Sequence, residues 1–179
     1  MRCGWVEGAA LAALLMVSAC NRDGASAAGP AADPDANAKA AEAFMATNAK
    51  AEGVQTLPSG LQYKVIASGP SGAPGADRND LVRVDYEGAL TDGTVFDSSF
   101  AKGQPFVTSP EQVVPGWTEA LQLMKAGDEW LLYVPPALGY GEQGGGAKIP
   151  GNAVLVFRIK LLDVAPVPGG NRGVGVAMG

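Results

Sequence analysis

The ten residues from Leu81 to Leu90, LVRVDYEGAL, set Val82, Val84 and Tyr86 on one side and Arg83, Asp85 and Glu87 on the other. Alternation of this kind is the period of a strand with one buried face. Asp92-Gly93 follows, and glycine accepts the positive φ of a tight hairpin turn. Val95-Phe96-Asp97 is therefore predicted to begin the returning strand, with Pro105-Phe106-Val107 a further short one. Leu61 to Ile66 and Glu129 to Val134 are strand-length runs, and Val154 to Val164 is a long one with Leu155, Phe157, Ile159 and Leu161 facing one way. One segment breaks the pattern. Trp117, Leu121 and Met124 fall at i, i+4 and i+7, between Pro115, suited to a helix start, and Gly127, suited to a helix end. Many antiparallel strands and a single short amphipathic helix over Pro115 to Lys125 make an α+β domain of about 110 residues.

The chain has 179 residues, which suits one such domain with flanking segments. With 13 Lys and Arg against 18 Asp and Glu, a net charge of −5, it lacks the basic footprint of a nucleic-acid binder. It has no histidine, which removes Ser/His/Asp triads and histidine-ligated zinc from consideration. Its two cysteines, Cys3 and Cys20, leave everything after them without a disulfide or a thiol nucleophile. Stability must come from an apolar core, for which 47% hydrophobic residues suffice.

The flanks read separately. Arg2 precedes an apolar stretch from Ala9 to Val17, too short to span about 30 Å of hydrocarbon, so residues 1–19 are expected to be a signal peptide. Val17-Ser18-Ala19-Cys20 resembles the bacterial lipoprotein cleavage box, which makes Cys20 the expected lipidation site and the membrane a partner through that anchor. Asn21 after it fits an outer-membrane, periplasm-facing destination, the alternative being a soluble periplasmic or secreted protein. Residues 20–36 read as a flexible tether, 37–56 as a helical lead-in whose helix runs from Asn37 to Glu52, 57–165 as the folded domain and 166–179 as a disordered tail.

Five separated blocks then carry a resemblance: VDYEGAL around Tyr86, DGTVFDSS from Asp92, VVPGWTEALQLM from Val113, the pair Tyr140-Gly141, and AVLVFRIKLL from Ala153. In that order and spacing they resemble the FKBP-type peptidyl-prolyl cis-trans isomerases, and the preceding NAKAEGVQTLPSGLQYKVI looks like the lead-in of bacterial periplasmic members. The resemblance implies an antiparallel, strongly curved sheet wrapped around one short helix. It implies an isomerase that needs no cofactor and no metal, acting on proline-containing unfolded or partly folded polypeptides and inhibited by macrolides such as FK506 or rapamycin. No oligomer is implied. Residue by residue, Trp117 becomes the floor of a pocket walled by Tyr86, Phe96, Phe106, Val113, Val114 and Phe157. Asp97 lies at its rim orienting Tyr86, Tyr140 offers a hydroxyl to a substrate carbonyl, and Ile149 closes the pocket and offers its backbone N–H. The catalytic set is thus Tyr86, Asp97 and Tyr140.

The residues themselves accommodate this chemistry. Rotation about an X-Pro bond faces a barrier of about 18–20 kcal/mol but needs neither nucleophile nor proton relay. Twisting breaks amide resonance and withdraws negative charge from the carbonyl, so a ring-lined apolar site that excludes water favours the twisted form. Because Asp97 directly follows Phe96, the two should point to opposite faces unless a turn or bulge intervenes; otherwise Asp97 reads as a turn cap for Ser98-Ser99. The glycines of GEQGGGAK, between Tyr140 and Ile149, predict a mobile loop beside the pocket. Two other classes fit the same residues: a module that binds proline-containing segments without catalysis, and a purely structural lipoprotein.

Overall fold

A computed structural model describes residues 33–168. The residues expected to form a signal peptide, Cys20, and most of the segments expected to be tether and tail lie outside the described residues.

The alternating segment forms β3 (Leu81–Leu90), with Val82, Val84 and Tyr86 buried. It lies inside an antiparallel sheet that also contains β1 (Val54–Thr56), β2 (Gln62–Ala67), β4 (Val95–Ser98), β5 (Phe106–Thr108), β6 (Glu129–Val134) and β7 (Leu155–Ala165). The strand order is β1-β2-β6-β7-β3-β4, with β5 also on β3. One edge of β3 pairs with β7 along its whole length, from Leu81 opposite Ala165 to Leu90 opposite Leu155. Its other edge is divided: Val82 to Val84 pair with β5, and Glu87 to Ala89 with β4. Between these two partners the chain makes a one-turn helix, α2 (Ser99–Lys102), which the sequence reading did not foresee. At the changeover the Tyr86 N–H has no strand opposite it and donates instead to Ser99 Oγ at 2.9 Å. A side chain thus completes the hydrogen bonding that the split ladder leaves open.

The segment after Pro115 folds as α3 (Pro115–Leu123), with Trp117, Ala120 and Leu121 buried against the sheet. It ends two residues before Lys125, because a turn held by Asp128 takes over. The Asp128 carboxylate accepts from the backbone N–H of Lys125 (3.0 Å) and of Gly69 (2.7 Å) and from Lys125 Nζ (2.9 Å). Met124 leaves the helix yet stays 1% exposed. At the start of α3 the backbone approaches β6 closely: a Cβ on Gly116 would lie 2.7 Å from Val134 Cγ1. The core is continuous under α3, built from Leu61, Val82, Val84, Leu121, Leu132, Ile159 and Leu161 among others.

The helix expected over Asn37 to Glu52 is α1 (Pro34–Asn48), shifted toward the N-terminus. Asp33 caps it by accepting from Asp35 N, and Pro34 occupies the first turn, a start signal that outweighs the alanine run. β1 follows within the segment expected to be helical lead-in and pairs with β2. α1 docks rather than frays. Gln62, itself buried, donates to Met45 O (2.8 Å) and accepts from Asn48 Nδ2 (2.9 Å), and the Phe44 ring lies 6.1 Å from that of Tyr133.

Candidate active site

Five elements each send one aromatic side chain to the same place: Tyr86 from β3, Phe96 from β4, Phe106 from β5, Trp117 from α3 and Phe157 from β7. They meet edge to face in a chain. Phe106 lies 5.8 Å from Tyr86, Tyr86 5.2 Å from Trp117, Trp117 5.1 Å from Phe157 and Phe157 5.6 Å from Phe96, centroid to centroid. This is the favoured arrangement of aromatic quadrupoles, and it holds the rings apart around a space rather than collapsing them into one stack. With Asp97, Val113, Val114, Gln112 and Tyr140 they line a cavity of about 490 Å³. Trp117, 3% exposed, forms its floor, whereas Phe106 at 41% and Tyr140 at 45% stand at the rim. The indole Nε1 of Trp117 is buried without an acceptor among the described residues, a cost of about 1–3 kcal/mol that a core tryptophan ordinarily avoids.

Phe96 and Asp97 both reach this cavity although they are neighbours on one strand. The register supplies the reason. Gly88 pairs with Asp97 but Ala89 pairs with Val95, so Phe96 is an extra residue in the ladder, and the bulge turns both side chains to the same side. Gly88 makes this possible. A Cβ there would meet rings of both Phe96 and Phe157 at 2.7 Å, so only glycine lets the two walls close over the sheet. The sequence reading passed over Gly88, whose only local signal was a glycine inside an otherwise regular strand.

Asp97 does two things at once. Its Oδ2 accepts from the Tyr86 hydroxyl at 2.5 Å, and its Oδ1 accepts from Ser98 N at 2.9 Å and pairs with Lys102 Nζ at 2.5 Å. The orienting and turn-capping descriptions therefore use separate oxygens of one carboxylate. The Lys102 ammonium first, and the Tyr86 hydroxyl after it, hold the Asp97 carboxyl below the usual carboxylate range. Burial first, and then the hydrogen bond to Asp97, push the Tyr86 phenol far above its ordinary value. At neutral pH the pair is an anion and a neutral donor, and neither is poised to exchange a proton. Lys102 reaches Asp97 from the last turn of α2, which ends on Gly103 in the left-handed conformation, φ 66°.

Ile149 stands apart from the expected set. Its side chain is buried in the core cluster and does not line the cavity. Its carbonyl instead accepts from Gly145 N at 2.9 Å, closing a small ring within the loop after Tyr140. That loop is also more tightly held than its glycines suggested. Asn152 N donates to Gly141 O (2.9 Å), Asn37 Nδ2 to Gly151 O (2.9 Å) and Asn152 Nδ2 to Pro34 O (3.0 Å), so α1 clasps the end of the loop. Two of its glycines serve close approach: a Cβ would lie 2.2 Å from Ile149 O at position 144 and 2.0 Å from Glu142 O at position 151. Lys148 crosses from this loop to donate to Phe96 O at 3.3 Å.

A larger cavity, about 690 Å³, runs along α1 beside Met45, Pro135 and Pro136. No aromatic side chain lines it, in contrast to the five-ring site. Among the described residues no cluster of His, Cys, Asp or Glu is arranged to hold a metal ion.

Comparison with known proteins agrees with this geometry. Residues 73–162 match the family described as FKBP-type peptidyl-prolyl cis-trans isomerase, and residues 13–65 match the domain amino terminal to it. The chain is 51% identical over 133 residues to the probable FKBP-type peptidyl-prolyl cis-trans isomerase FkpA of Neisseria meningitidis, covering 74% of this chain and 48% of that protein. It is 48% identical over 123 residues to the outer membrane protein MIP of Legionella longbeachae, covering 69% and 52%. The chain spans about half the length of such curated relatives. A crystal structure of a peptidyl-prolyl cis-trans isomerase from Pseudomonas syringae superimposes with a TM-score of 0.71 at 37% identity, covering 77% of this chain and 100% of that one. A five-ring cavity built on an antiparallel sheet and one docked helix, with matching sequence across its whole extent, identifies the chain as a member of the FKBP-type peptidyl-prolyl cis-trans isomerase family.

Proposed function

We propose that this chain accelerates cis-trans isomerisation of X-Pro bonds in polypeptides that are unfolded or partly folded. The observation that carries the reading is the open, ring-lined cavity in which Asp97, the one charged lining residue among the described residues, is already held by Tyr86 and Lys102. A proline ring fits against Trp117, with Tyr86, Phe96, Phe106 and Phe157 around it and Val113 and Val114 at the side. Removing water from the amide favours the twisted form, in which the carbonyl bears less negative charge than in either planar state. Tyr140, half exposed at the rim, offers its hydroxyl to a neighbouring substrate carbonyl and so holds the peptide while the bond turns. Asp97 keeps Tyr86 in place and presents negative potential to the rotating group. Preferential binding of the twisted form by about 5 kcal/mol gives several thousand-fold acceleration.

A protease-coupled assay on an Ala-Pro peptide tests this. Wild type should exceed the uncatalysed rate by at least two orders of magnitude, and Trp117→Ala and Asp97→Val should each lose most of that gain. A wild-type rate at the uncatalysed level removes the proposal and leaves a binding module. The same pocket should take a macrolide such as rapamycin, read as a rise in Tm that Trp117→Ala abolishes.

We further propose a place in the cell envelope, with Cys20 carrying a lipid anchor and the domain serving envelope proteins whose proline steps take tens of seconds unassisted. The cleavage-box pattern at Val17 to Cys20 and the similarity to a protein named for the outer membrane support this. Labelled palmitate should tag the product, and Cys20→Ala should abolish the label and free the protein from the membrane fraction. Label that persists in the variant overturns the anchor.

A further inference from the structure

The loop that follows Tyr140 brings one cation to the mouth of the cavity. Lys148 is exposed, and its ammonium donates to Phe96 O at 3.3 Å, so it overhangs the wall between the Tyr140 loop and the strand that carries Asp97. An ammonium has three N–H donors, and this hydrogen bond uses one. Lys148 has no carboxylate partner among the described residues, whereas Lys102, the other amine at the rim, is committed to Asp97. A carbonyl supplies a partial charge only, so the positive charge of Lys148 is uncompensated beside the opening.

The position relative to the bond being turned follows from the proposed function, on which this inference rests. With the proline ring on Trp117, the X-Pro amide lies at the rim between Tyr140 and Asp97. A residue preceding proline that leaves the cavity past Phe96 comes beneath the Lys148 ammonium, which is hydrogen-bonded to the Phe96 carbonyl. We propose that Lys148 is a specificity-determining residue that favours Asp or Glu immediately before proline. The sign is diagnostic. A chain of net charge −5 attracts cationic peptides at long range, so a preference for the acidic peptide points to a group at the rim, and its inversion in Lys148→Glu separates Lys148 from Lys102. An exposed pair of this kind changes relative rates by about two- to five-fold.

The test measures kcat/KM for three peptides that differ only in Glu, Ala or Lys before proline, in the wild type and in Lys148→Glu. The readout is the Glu-to-Lys ratio within each protein, which a general loss of activity leaves untouched. The wild-type ratio should exceed one, fall about two- to five-fold when salt is raised to about 1 M, where the Debye length is ~3 Å, and invert in Lys148→Glu. Lys148→Met should bring the ratio close to that of wild type at high salt. An unchanged ratio in Lys148→Glu, with all three peptides turned over, overturns the role of Lys148 and leaves the isomerase reading standing. Failure to turn over the Ala peptide as well overturns the isomerase reading instead.

Discussion

The Tyr86 hydroxyl donates to Asp97 Oδ2 at 2.5 Å across the split between β3 and its two partners, joining the wall of the cavity to its rim. The bond exists because a bulge at Phe96 turns Asp97 inward and because Ser99 Oγ fixes the backbone of Tyr86. Removing the hydroxyl leaves Asp97 its contacts with Lys102 and Ser98 N. Tyr86→Phe should therefore cost only about 1 kcal/mol of stability. It should lower kcat/KM for an Ala-Pro peptide about three- to ten-fold, since one such bond is worth about 1 kcal/mol. A double-mutant cycle of Tyr86→Phe with Asp97→Ala, read by urea melts, should give a coupling of about 0.5–3 kcal/mol. Additive effects mean the two groups do not interact in solution.

The activity should not respond to pH across the neutral range. Asp97 has a folded pKa below its ordinary value, so what it contributes is complete above about pH 4 and is lost as pH falls through that lower value. Tyr86 has a folded pKa above its ordinary value, so its contribution is complete below about pH 10 and is lost as pH rises through the higher one. With no histidine in the chain, kcat/KM measured without a coupling protease should be level from about pH 5 to pH 9. A bell with a limb near neutrality indicates proton transfer and contradicts catalysis by desolvation.

Gly88→Ala places a methyl group 2.7 Å from rings on both sides of the cavity. The rings must separate, and overpacking of this kind costs about 1–3 kcal/mol. Because Phe96 borders open space it can move outward, so the larger effect should fall on substrate binding. KM for an Ala-Pro peptide should rise several-fold while kcat falls less, and a variant with unchanged KM and reduced Tm would make Gly88 a residue of the core only.

Asp128 is a stabilising residue remote from the rim. Burial works against its charge, but the backbone N–H groups of Lys125 and Gly69 and the Lys125 ammonium outweigh burial, and its pKa lies below the ordinary value. Asp128→Ala strands these donors and should cost about 2–4 kcal/mol near pH 7. A lowered folded pKa stabilises above about pH 4, and this contribution disappears as pH falls through the folded value. The difference in unfolding free energy between the two proteins should accordingly narrow in acid. A constant difference down to pH 3 would assign the loss to packing alone.

Gly151→Ala tests whether the loop after Tyr140 is held rather than mobile. A methyl group there meets Glu142 O at 2.0 Å, and its carbonyl is the one that Asn37 clasps from α1. Stability should fall by at least ~1 kcal/mol, and amide exchange should accelerate across residues 141–152 and in the first turn of α1 together. Exchange that changes in the loop alone would show that α1 does not brace it.

Periodicity along the chain determined the strands at Leu81–Leu90 and Leu155–Ala165 and the helix at Pro115, because alternation and i, i+4, i+7 spacing express which face of a segment meets the core. The aromatic set that forms the cavity was legible through the resemblance of the five sequence blocks rather than through periodicity, since Phe106 stands 41% exposed on a three-residue strand. Tertiary structure decided where those faces lead. Whether Phe96 and Asp97 share a side depends on a one-residue slip against β3, and the slip is set by the partner strand and by the space above Gly88. Ile149 turned to the core, and the glycine loop became fixed where Asn37 of α1 donates to Gly151 O from 114 residues away in the chain. Lys102 and Lys148 reach the rim through a one-turn helix and a folded-back loop, neither of which has a local pattern long enough to read. Short-range spacing encodes which side of a segment is buried; register, loop closure and the meeting of charges depend on atoms from distant parts of the chain, so only the assembled fold specifies them.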